Sequence, residues 1–280
     1  MDGHELRALR NTTGHTIEAQ YLDLLATLLE KSRHQKPTMD RTGVGTWRMF
    51  DYTIKGSVYG SFPLLTTKRV WWRAIVAELL WFLSGDTNEQ TLAQQGITIW
   101  KEWAREGGEL GPVYGAQWRS FGGRGVDQVQ KLIEQIKGNP ASRRQVVSAW
   151  NPLDIDQMAL PPCHMLWQTF VDSGFLSLKI VCRSSDVFLG LPFNIASYAL
   201  LLYMLAHVTG LKPGELVVSL GDVHMYTNHV DQVTEQLQRS PMSPPTLTIQ
   251  GPHDIDALRA EHILLTGYHA HGVISGRVAV

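Results

Sequence analysis

Residues 159–170, A-L-P-P-C-H-M-L-W-Q-T-F, restrict the fold more than any other stretch, because they begin an antiparallel hairpin. Two prolines stiffen the approach to Cys163, since each ring fixes φ and holds the preceding residue extended. An apolar run follows His164 as far as the Asp-Ser-Gly turn signal at residues 172–174. Residues 175–182 then alternate apolar and polar side chains, as a half-buried strand does. Together these patterns predict a β-hairpin with a short glycine-containing loop.

The hairpin is predicted to place a thiol beside a guanidinium. If the loop is centred on Ser173, Cys163 lies opposite Arg183, within the usual error of about one residue in register. A guanidinium beside a thiol favours the thiolate and forms an anion site next to it. A lone cysteine is more often a small buried hydrophobe. The diproline and the neighbouring arginine instead favour a nucleophilic sulfur that shares its pocket with an anion.

Composition limits the classes of function. The chain has 280 residues, enough for one large domain with a substantial core. A formal net charge of −1 disfavours a general polyanion binder, so no DNA partner is expected. The only cysteines, Cys163 and Cys182, exclude a disulfide framework and predict a reducing, cytoplasmic location. We expect no signal peptide. We also expect no membrane span, because the most apolar run, residues 195–208, is too short and predicts a buried core helix.

Periodicity divides the rest of the chain into helices and strands. Thr16 is a predicted N-cap for a first amphipathic helix. The polar residues 1–15 before it are expected to form a flexible extension to a single domain of residues 16–280. Strand composition marks residues 47–58. The remaining predicted elements are helices at 72–83, at 126–137 and from Ile195 to just before Gly210, and strands at 145–150 and 216–220.

Some polar and aromatic side chains have positions that suggest chemistry. Glu78 flanks the apolar face of the helix at 72–83, where a carboxylate is costly unless paired and its pKa should rise. A structural partner for this carboxylate is the common alternative. Trp100 and Trp103 would share one face if helical, either as core packing or as a stacking platform for a flat heterocycle.

Residues after the hairpin include one side chain that suggests recognition of a base. Asn194 is placed to cap the apolar helix, but its amide could also donate and accept hydrogen bonds at the edge of a uracil. His224 and Tyr226 follow the strand at 216–220 and would point the same way if the chain stays extended. The histidines show no metal-binding spacing, so no metal site is expected.

Further arginines could contribute to an anion site. The glycine-containing loop at residues 40–46 could close over a phosphate with Arg41, although it is not a P-loop and the residues alone favour a solvated turn. Arg143 and Arg144 lie at the start of a predicted strand. Neighbours on a strand point in opposite directions, so the two are poorly placed to serve one pocket of their own chain.

Taken together, these segments resemble the thymidylate synthase family, from about Tyr21 to the C-terminus. The pieces that carry the resemblance are D-R-T-G-V-G-T at 40–46, F-P-L-L-T-T-K-R at 62–69, E-L-L-W-F-L-S-G-D-T-N at 78–88, G-P-V-Y-G-A-Q-W-R at 111–119, S-R-R at 142–144, A-L-P-P-C-H at 159–164, R-S-S-D-V-F-L-G-L-P-F-N-I-A-S-Y at 183–198 and G-D-V-H-M-Y-T-N-H at 221–229. The resemblance implies an α+β (mixed α/β) fold with a twisted mixed sheet covered by helices. It also implies that the other sheet face is used for dimerisation.

The resemblance implies an activity as well: reductive methylation of dUMP to dTMP by 5,10-methylenetetrahydrofolate, which leaves as dihydrofolate. Cys163 would attack C6 of the uracil as a thiolate. Asn194 would read the pyrimidine edge, and Glu78, His164 and water would manage protons. Tyr114 would assist removal of the C5 proton. Arg183 and Asp186 complete the implied catalytic set.

Ligand contacts and a homodimer are implied in the same way. The implied dUMP contacts are Arg41, Arg183 and Ser184 at the phosphate, joined there by Arg143 and Arg144 of a second subunit, with Asp186 and Asn194 near the base and His224 and Tyr226 at the deoxyribose. The implied folate contacts are Asp186 at the pterin, a wall of Trp100, Trp103, Leu189, Gly190 and Phe193, Lys68 at the glutamate tail, and the closing C-terminal residues, which include Ala279. Sharing arginines across the subunits makes the dimer obligatory.

The chain departs from the family pattern at a few positions. Cys182 stands where glutamine is usual, Trp71 and Trp72 replace a more polar pair, and the tail at residues 267–280 lacks the usual prolines. A looser tail would admit water and give hydroxymethylation, so a dUMP 5-hydroxymethylase is the closest alternative. Asn194 disfavours a dCMP-specific relative, in which aspartate is expected, and Trp100 favours methylation.

Two other classes of protein remain as alternatives when the residues are considered without the resemblance. A cysteine-dependent hydrolase could use Cys163 and His164, but neighbours along a strand point to opposite faces and the pair is poorly placed. The second class is a nucleotide-binding or RNA-binding module without catalysis. Replacement of Cys163 by serine distinguishes these classes, because only an enzyme that uses the sulfur would lose turnover.

Overall fold

A computed structural model describes residues 16–279 of the chain. The expected flexible extension at residues 1–15 lies outside the described residues. The helices are α1 Ile17–His34, α2 Trp72–Ser84, α3 Glu89–Ala93, α4 Tyr114–Arg119, α5 Gln128–Gly138, α6 Gly190–Thr209 and α7 Val230–Leu237. The strands are β1 Thr46–Ser57, β2 Val146–Ser148, β3 His164–Asp172, β4 Phe175–Asp186, β5 Lys212–Tyr226, β6 Thr246–Ile249 and β7 Ile263–Thr266.

Five strands form one mixed sheet in the order β1-β5-β4-β3-β2. Neighbouring strands are antiparallel except β4 and β5, which are parallel and are connected by α6. Strands β6 and β7 form a separate antiparallel pair. The predicted fold class, a mixed α/β protein with a twisted mixed sheet covered by helices, is confirmed.

The predicted hairpin is confirmed as β3 and β4. Its loop is Ser173-Gly174, with φ of 50° and 79°, the left-handed pair that a two-residue hairpin turn requires. This loop pairs Asp172 with Phe175, whereas a loop centred on Ser173 would pair Asp172 with Gly174, so the register differs by one residue. An irregularity between His164 and Leu166 then shifts the register back. Cys163 therefore does lie opposite Arg183, but only because of this bulge.

The central strands change their inward-facing side partway along the sheet. Buried residues of β4 fall at every second position up to Cys182 and resume at Ser185. In β5 they run up to Leu220 and resume at Val223. At the same level, Asp51 of β1 has a φ of 66°. Consecutive residues of β4 and β5 are thereby left out of the core, which is how residues on both strands become available for a site.

Helix α6 is the apolar core helix, but it begins at Gly190 rather than at Ile195. Pro192 lies in the first turn, where its missing N–H costs no helical hydrogen bond. Asn194 is therefore inside the helix, and the prediction that it caps the helix is wrong. The helix is long and apolar enough to cross a membrane by composition, yet most of it is buried within the protein against β4, β5 and α2.

The other predicted elements differ mainly in their ends. Thr16 caps α1 as predicted, since its side chain accepts from the N–H of Ala19 at 3.1 Å. Strand β5 continues to Tyr226 instead of stopping at Leu220, and β2 keeps only three of the predicted residues. The sheet also carries very exposed apolar side chains, with Phe50 at 86% and Phe170 at 65% exposure.

Candidate active site

Cys163 is partly exposed and immediately precedes β3. Its backbone N–H donates to the hydroxyl of Tyr114 at 2.8 Å, at the first residue of α4. Its carbonyl accepts from the backbone N–H of Arg183 at 2.8 Å. The main chain of this residue is thus tied to a helix on one side and to β4 on the other.

The side chain of Arg183 is fixed against the diproline that the sequence singled out. Its Nε donates to the carbonyl of Pro162 and its Nη2 to that of Pro161, each at 2.9 Å. The guanidinium carbon also lies 5.7 Å from the ring centroid of Trp150. Nη1 makes no hydrogen bond within the described chain, so a fixed positive charge with a free donor lies beside Cys163.

Opposing effects act on the Cys163 thiol. Burial raises its pKa and is the largest effect, whereas Arg183 and Arg41 lower it and Asp186 raises it further. The arginines therefore act in the predicted direction, but the net pKa lies above the ordinary value. The net effect therefore favours the thiol over the thiolate.

His164 belongs to an aromatic cluster rather than to a pair with Cys163. Its ring stacks on Tyr114 with centroids 4.1 Å apart, and its Nδ1 lies 2.6 Å from the hydroxyl of Tyr198. Burial lowers its pKa to about 3, so the imidazole is neutral at physiological pH. It makes no hydrogen bond to the sulfur, which argues against a cysteine hydrolase that uses this histidine as its base.

Glu78 of α2 is held by a tryptophan. Trp100 Nε1 donates to Glu78 Oε1 at 2.8 Å, and burial raises the pKa of the carboxyl to about 7. A group with that pKa can both release and accept a proton near neutrality. Trp100 and Trp103 lie in turns, not in a helix, but their rings do meet edge to face at 5.9 Å.

The raised pKa of Glu78 predicts a pH-dependent stability. Between the ordinary value of 4.5 and about 7 the carboxyl is protonated when folded and ionised when unfolded. Unfolding then releases a proton, so this group's stabilising contribution falls as pH rises through that window. Relative to the wild type, Glu78→Gln should therefore gain about 2–3 kcal/mol in free energy of unfolding from pH 5 to pH 8.

Urea unfolding of both proteins at the two pH values measures this effect. In the Glu78→Gln variant the new amide oxygen can still accept from Trp100, so the change isolates the charge. Glu30→Gln, at an exposed carboxylate paired with Arg33, is the matched control and should show no such gain. If the difference in free energy of unfolding between Glu78→Gln and the wild type did not change with pH, the expectation would be contradicted.

Asp186 and Lys68 lie at the end of β4 and beneath the start of α6. Asp186 Oδ1 accepts from the N–H groups of Phe188 and Leu189 at 2.9 and 3.3 Å, and its second oxygen has no partner within the described chain. Lys68 is buried and donates to the Phe188 carbonyl. Its Nζ also lies 3.6 Å from the centroid of the Phe188 ring. Burial lowers the pKa of Lys68 to about 7. Its ammonium is therefore inside the fold and not at an open surface.

Some of the residues predicted to contact a nucleotide lie near Cys163, since Arg41 and Asp186 affect the pKa of its thiol. The side-chain amide of Asn194 makes no hydrogen bond within the described residues. His224 pairs with Asp186 in the sheet register, and its ring contacts Tyr226 edge to face at 5.2 Å. Arg41 is close enough to lower the pKa values of both Cys163 and Tyr226. Ser184 lies on the part of β4 that is left out of the core.

Other predicted residues lie away from this cluster or at its edge. Arg143 and Arg144 are exposed before β2, and their side chains make no hydrogen bond or ion pair in the described part of the chain. Near the C-terminus, the carbonyl of Arg277 accepts from His229 Nε2 at 2.9 Å, two residues before Ala279. The wall residues Leu189, Gly190 and Phe193 form the partly exposed start of α6.

Trp150, Tyr198 and His229 were not predicted to contribute to the site. Tyr198 follows Asn194 by four positions, which on a helix puts both on one face, and that spacing was readable from the sequence. The cation–π position of Trp150 and the contact of His229 with the tail depend on long-range packing and left no local signal. No group of three or more His, Cys, Asp or Glu side chains within residues 16–279 is arranged to hold a metal ion.

The site thus combines a thiol, a fixed guanidinium and a carboxyl of raised pKa. A family model described as thymidylate synthase matches residues 19–280, nearly the whole chain. The match spans every segment that contributes to this cluster. The chain therefore belongs to the thymidylate synthase family.

Proposed function

We propose that the protein is a thymidylate synthase that converts dUMP to dTMP, with 5,10-methylenetetrahydrofolate as the source of both the carbon and the hydride. The family is one of folate-dependent transferases, which fixes the general chemistry. The observation that carries the specific proposal is the position of Cys163, between the Tyr114 hydroxyl and the Arg183 guanidinium. A covalent nucleophile and an anion site then serve one nucleotide.

The proposed dUMP site uses several side-chain donors that make no hydrogen bond to another described residue. Arg183 Nη1, Arg41 and Ser184 would hold the phosphate, because guanidinium groups bind it through charge-assisted hydrogen bonds. The free amide of Asn194 can accept from N3–H and donate to O4 of a uracil at once. His224 and Tyr226 would hold the deoxyribose.

The proposed chemistry begins when the Cys163 thiol gives its proton to a base or to water in the site and its sulfur adds to C6 of the pyrimidine. The new carbon–sulfur bond makes C5 an enolate-type nucleophile. Glu78, whose pKa is about 7, would exchange protons near O4, and Tyr114 would assist removal of the C5 proton. A bound folate would supply the one-carbon unit to C5 and then the hydride, and departure of the Cys163 sulfur from C6 would restore the ring double bond and release the product.

The residues at the start of α6 fit a reduced folate. The free oxygen of Asp186 is an acceptor for the amide-like edge of a pterin. Trp100, Trp103 and Phe193 offer aromatic surface nearby, with Leu189 and Gly190 completing the wall. The buried Lys68 supports this segment from beneath through Phe188, and the tail that includes Ala279 would cover the site.

A homodimer of single-domain subunits (residues 16–280) in a reducing cytoplasm is part of the proposal. Arg143 and Arg144 have no hydrogen-bond or ion-pair partners in the described part of their own chain, and Phe50 and Phe170 leave apolar surface on the sheet. A second copy packed on that sheet would cover the apolar side chains. The same contact would bring the two arginines to the partner's phosphate site.

Product identity tests the proposal against the alternative 5-hydroxymethylase. Purified protein with dUMP and methylenetetrahydrofolate is expected to give the 5-methyl nucleotide by mass spectrometry, together with an equal amount of dihydrofolate. Transfer of the hydride is what oxidises the folate, so the two products must appear together. A 5-hydroxymethyl nucleotide accompanied by tetrahydrofolate would replace the proposal with the alternative.

A further inference from the structure

Tyr198 is a buried phenol that contacts the site only through His164. It lies on α6, is 2% exposed, and its hydroxyl is 2.6 Å from His164 Nδ1. Within residues 16–279 this hydroxyl has no other hydrogen-bond partner. Cys182 lies directly opposite His164 in the sheet, but its thiol makes no hydrogen bond with any described residue. The Tyr198–His164 hydrogen bond is therefore isolated, in that no third described group shares it.

The isolation of this pair determines which atom donates. A phenol must place its proton on an acceptor, and among the described residues Nδ1 is the only acceptor in reach of Tyr198. If Nδ1–H donated instead, the phenol proton would be buried without an acceptor, at a cost of about 1–3 kcal/mol. The satisfied arrangement is that Tyr198 donates to an unprotonated Nδ1.

The neutral imidazole then carries its proton on Nε2. This nitrogen has no hydrogen bond within the described chain, and it is not one of the fully buried unpaired polar atoms. Nε2 therefore keeps some solvent exposure, and we take it to be the ring nitrogen that a ligand can reach. The hydrogen bond at one ring nitrogen thus sets what the other nitrogen offers to a ligand.

We propose that Tyr198 is a positioning residue that fixes His164 in the Nε2–H tautomer, so that the imidazole donates a hydrogen bond toward the bound pyrimidine or its ordered water. This inference rests on the proposed function for its catalytic meaning, but the tautomer itself is a property of the free protein. The opposite tautomer would present a lone pair where the pyrimidine oxygen also has lone pairs. The two acceptors would then repel each other.

Nitrogen NMR of selectively labelled histidines tests the tautomer without any substrate. The His164 signals, assigned by their loss in His164→Gln, should show an N–H type Nε2 and an acceptor type Nδ1 across the neutral pH range. An N–H type Nδ1 in the wild type would overturn the inference. This result does not depend on whether the protein methylates dUMP.

Two matched tyrosine variants test the positioning role. Tyr198→Phe should abolish the pure Nε2–H signature and lower kcat about 10-fold, less than the full effect of a general acid or base, with KM for dUMP within about 2-fold. Tyr203→Phe is the control on the same helix, because its hydroxyl donates instead to the Val58 carbonyl at 2.5 Å. The control should lose stability but keep kcat and the tautomer.

The outcomes separate this inference from the proposed function. An unchanged His164 tautomer in Tyr198→Phe, or an equal loss of kcat in both variants, would overturn the positioning role. A wild type that shows the expected tautomer but makes no dTMP would refute the proposed function alone.

Discussion

Replacing Cys163 by serine is expected to lower kcat by at least about 10³-fold while leaving the affinity for dUMP within about 3-fold. A serine hydroxyl is not ionised near neutrality and is a weak nucleophile toward C6, so the covalent route is lost. The proposed phosphate and base contacts, made by Arg183 and Asn194, do not involve the sulfur. Binding and turnover should therefore separate, which a pure nucleotide-binding module cannot show.

Adduct formation with 5-fluoro-dUMP and methylenetetrahydrofolate measures the same step directly. Wild-type protein should gain the mass of both ligands, and Cys163→Ser should gain neither under denaturing conditions. Cys182→Ala is the matched control, since Cys182 is the other thiol and is buried opposite His164. It should form the adduct and lose only about 1 kcal/mol of stability from the small cavity. Turnover by Cys163→Ser at the wild-type rate would contradict the assignment of the nucleophile.

The hairpin shows how far local sequence signals reach. Alternation and an Asp-Ser-Gly turn are local, and they predicted β3 and β4 together with the pairing of Cys163 and Arg183. The bulge near Met165 that makes this pairing correct has no signal of its own in the sequence. A regular ladder from the observed turn would have placed Ser184 opposite Cys163 instead. The predicted pairing of Cys163 with Arg183 was therefore correct, but the bulge that produces it was not predicted.

The change of inward-facing side across the sheet could not be predicted. Period-two alternation identifies a buried face only while the strand stays regular. The break after Cys182 and Leu220 arises from matched irregularities on neighbouring strands, which depend on pairing distant segments. The sequence therefore predicted β5 only as far as Leu220, although the strand itself continues to Tyr226.

Long-range polar contacts are the other part that pattern reasoning could not supply. Trp100 donates to Glu78 from 22 positions away, and Tyr198 meets His164 from 34 positions away. The sequence could say that a carboxylate at position 78 needs a partner, because burial of a charge is costly. It could not say which residue provides that partner, since only the packing of the turn at residues 99–103 against α2 decides it.

The second large effect is expected at Arg143 and Arg144. The double variant Arg143→Ala/Arg144→Ala should lose about 10²-fold or more in kcat/KM, because two charged contacts to the phosphate disappear. The two side chains make no hydrogen bond or ion pair in the described part of their own chain, so the folded subunit should be little destabilised. Urea unfolding of the double variant checks this, and steady-state kinetics with varied dUMP measures the loss.

Mixing this double variant with Cys163→Ser tests whether the arginines come from the partner subunit. In a mixed dimer, one site receives its cysteine from the arginine-deficient chain and its arginines from the cysteine-deficient chain. That site is intact, whereas the other site lacks both its cysteine and its arginines. If subunits re-associate at random, half the dimers are mixed with one working site of two, so activity should return to about one quarter of the wild type.

The matched control mixes Cys163→Ser with Asn194→Ala. The unpaired amide of Asn194 is assigned to its own chain's site, so both sites of this mixed dimer remain defective and activity should stay at the sum of the parents. Recovery in the first mixture and none in the second can arise only if the two sets of residues meet across an interface. A monomeric protein of full activity, or recovery in both mixtures, would refute the shared site and with it the obligatory dimer.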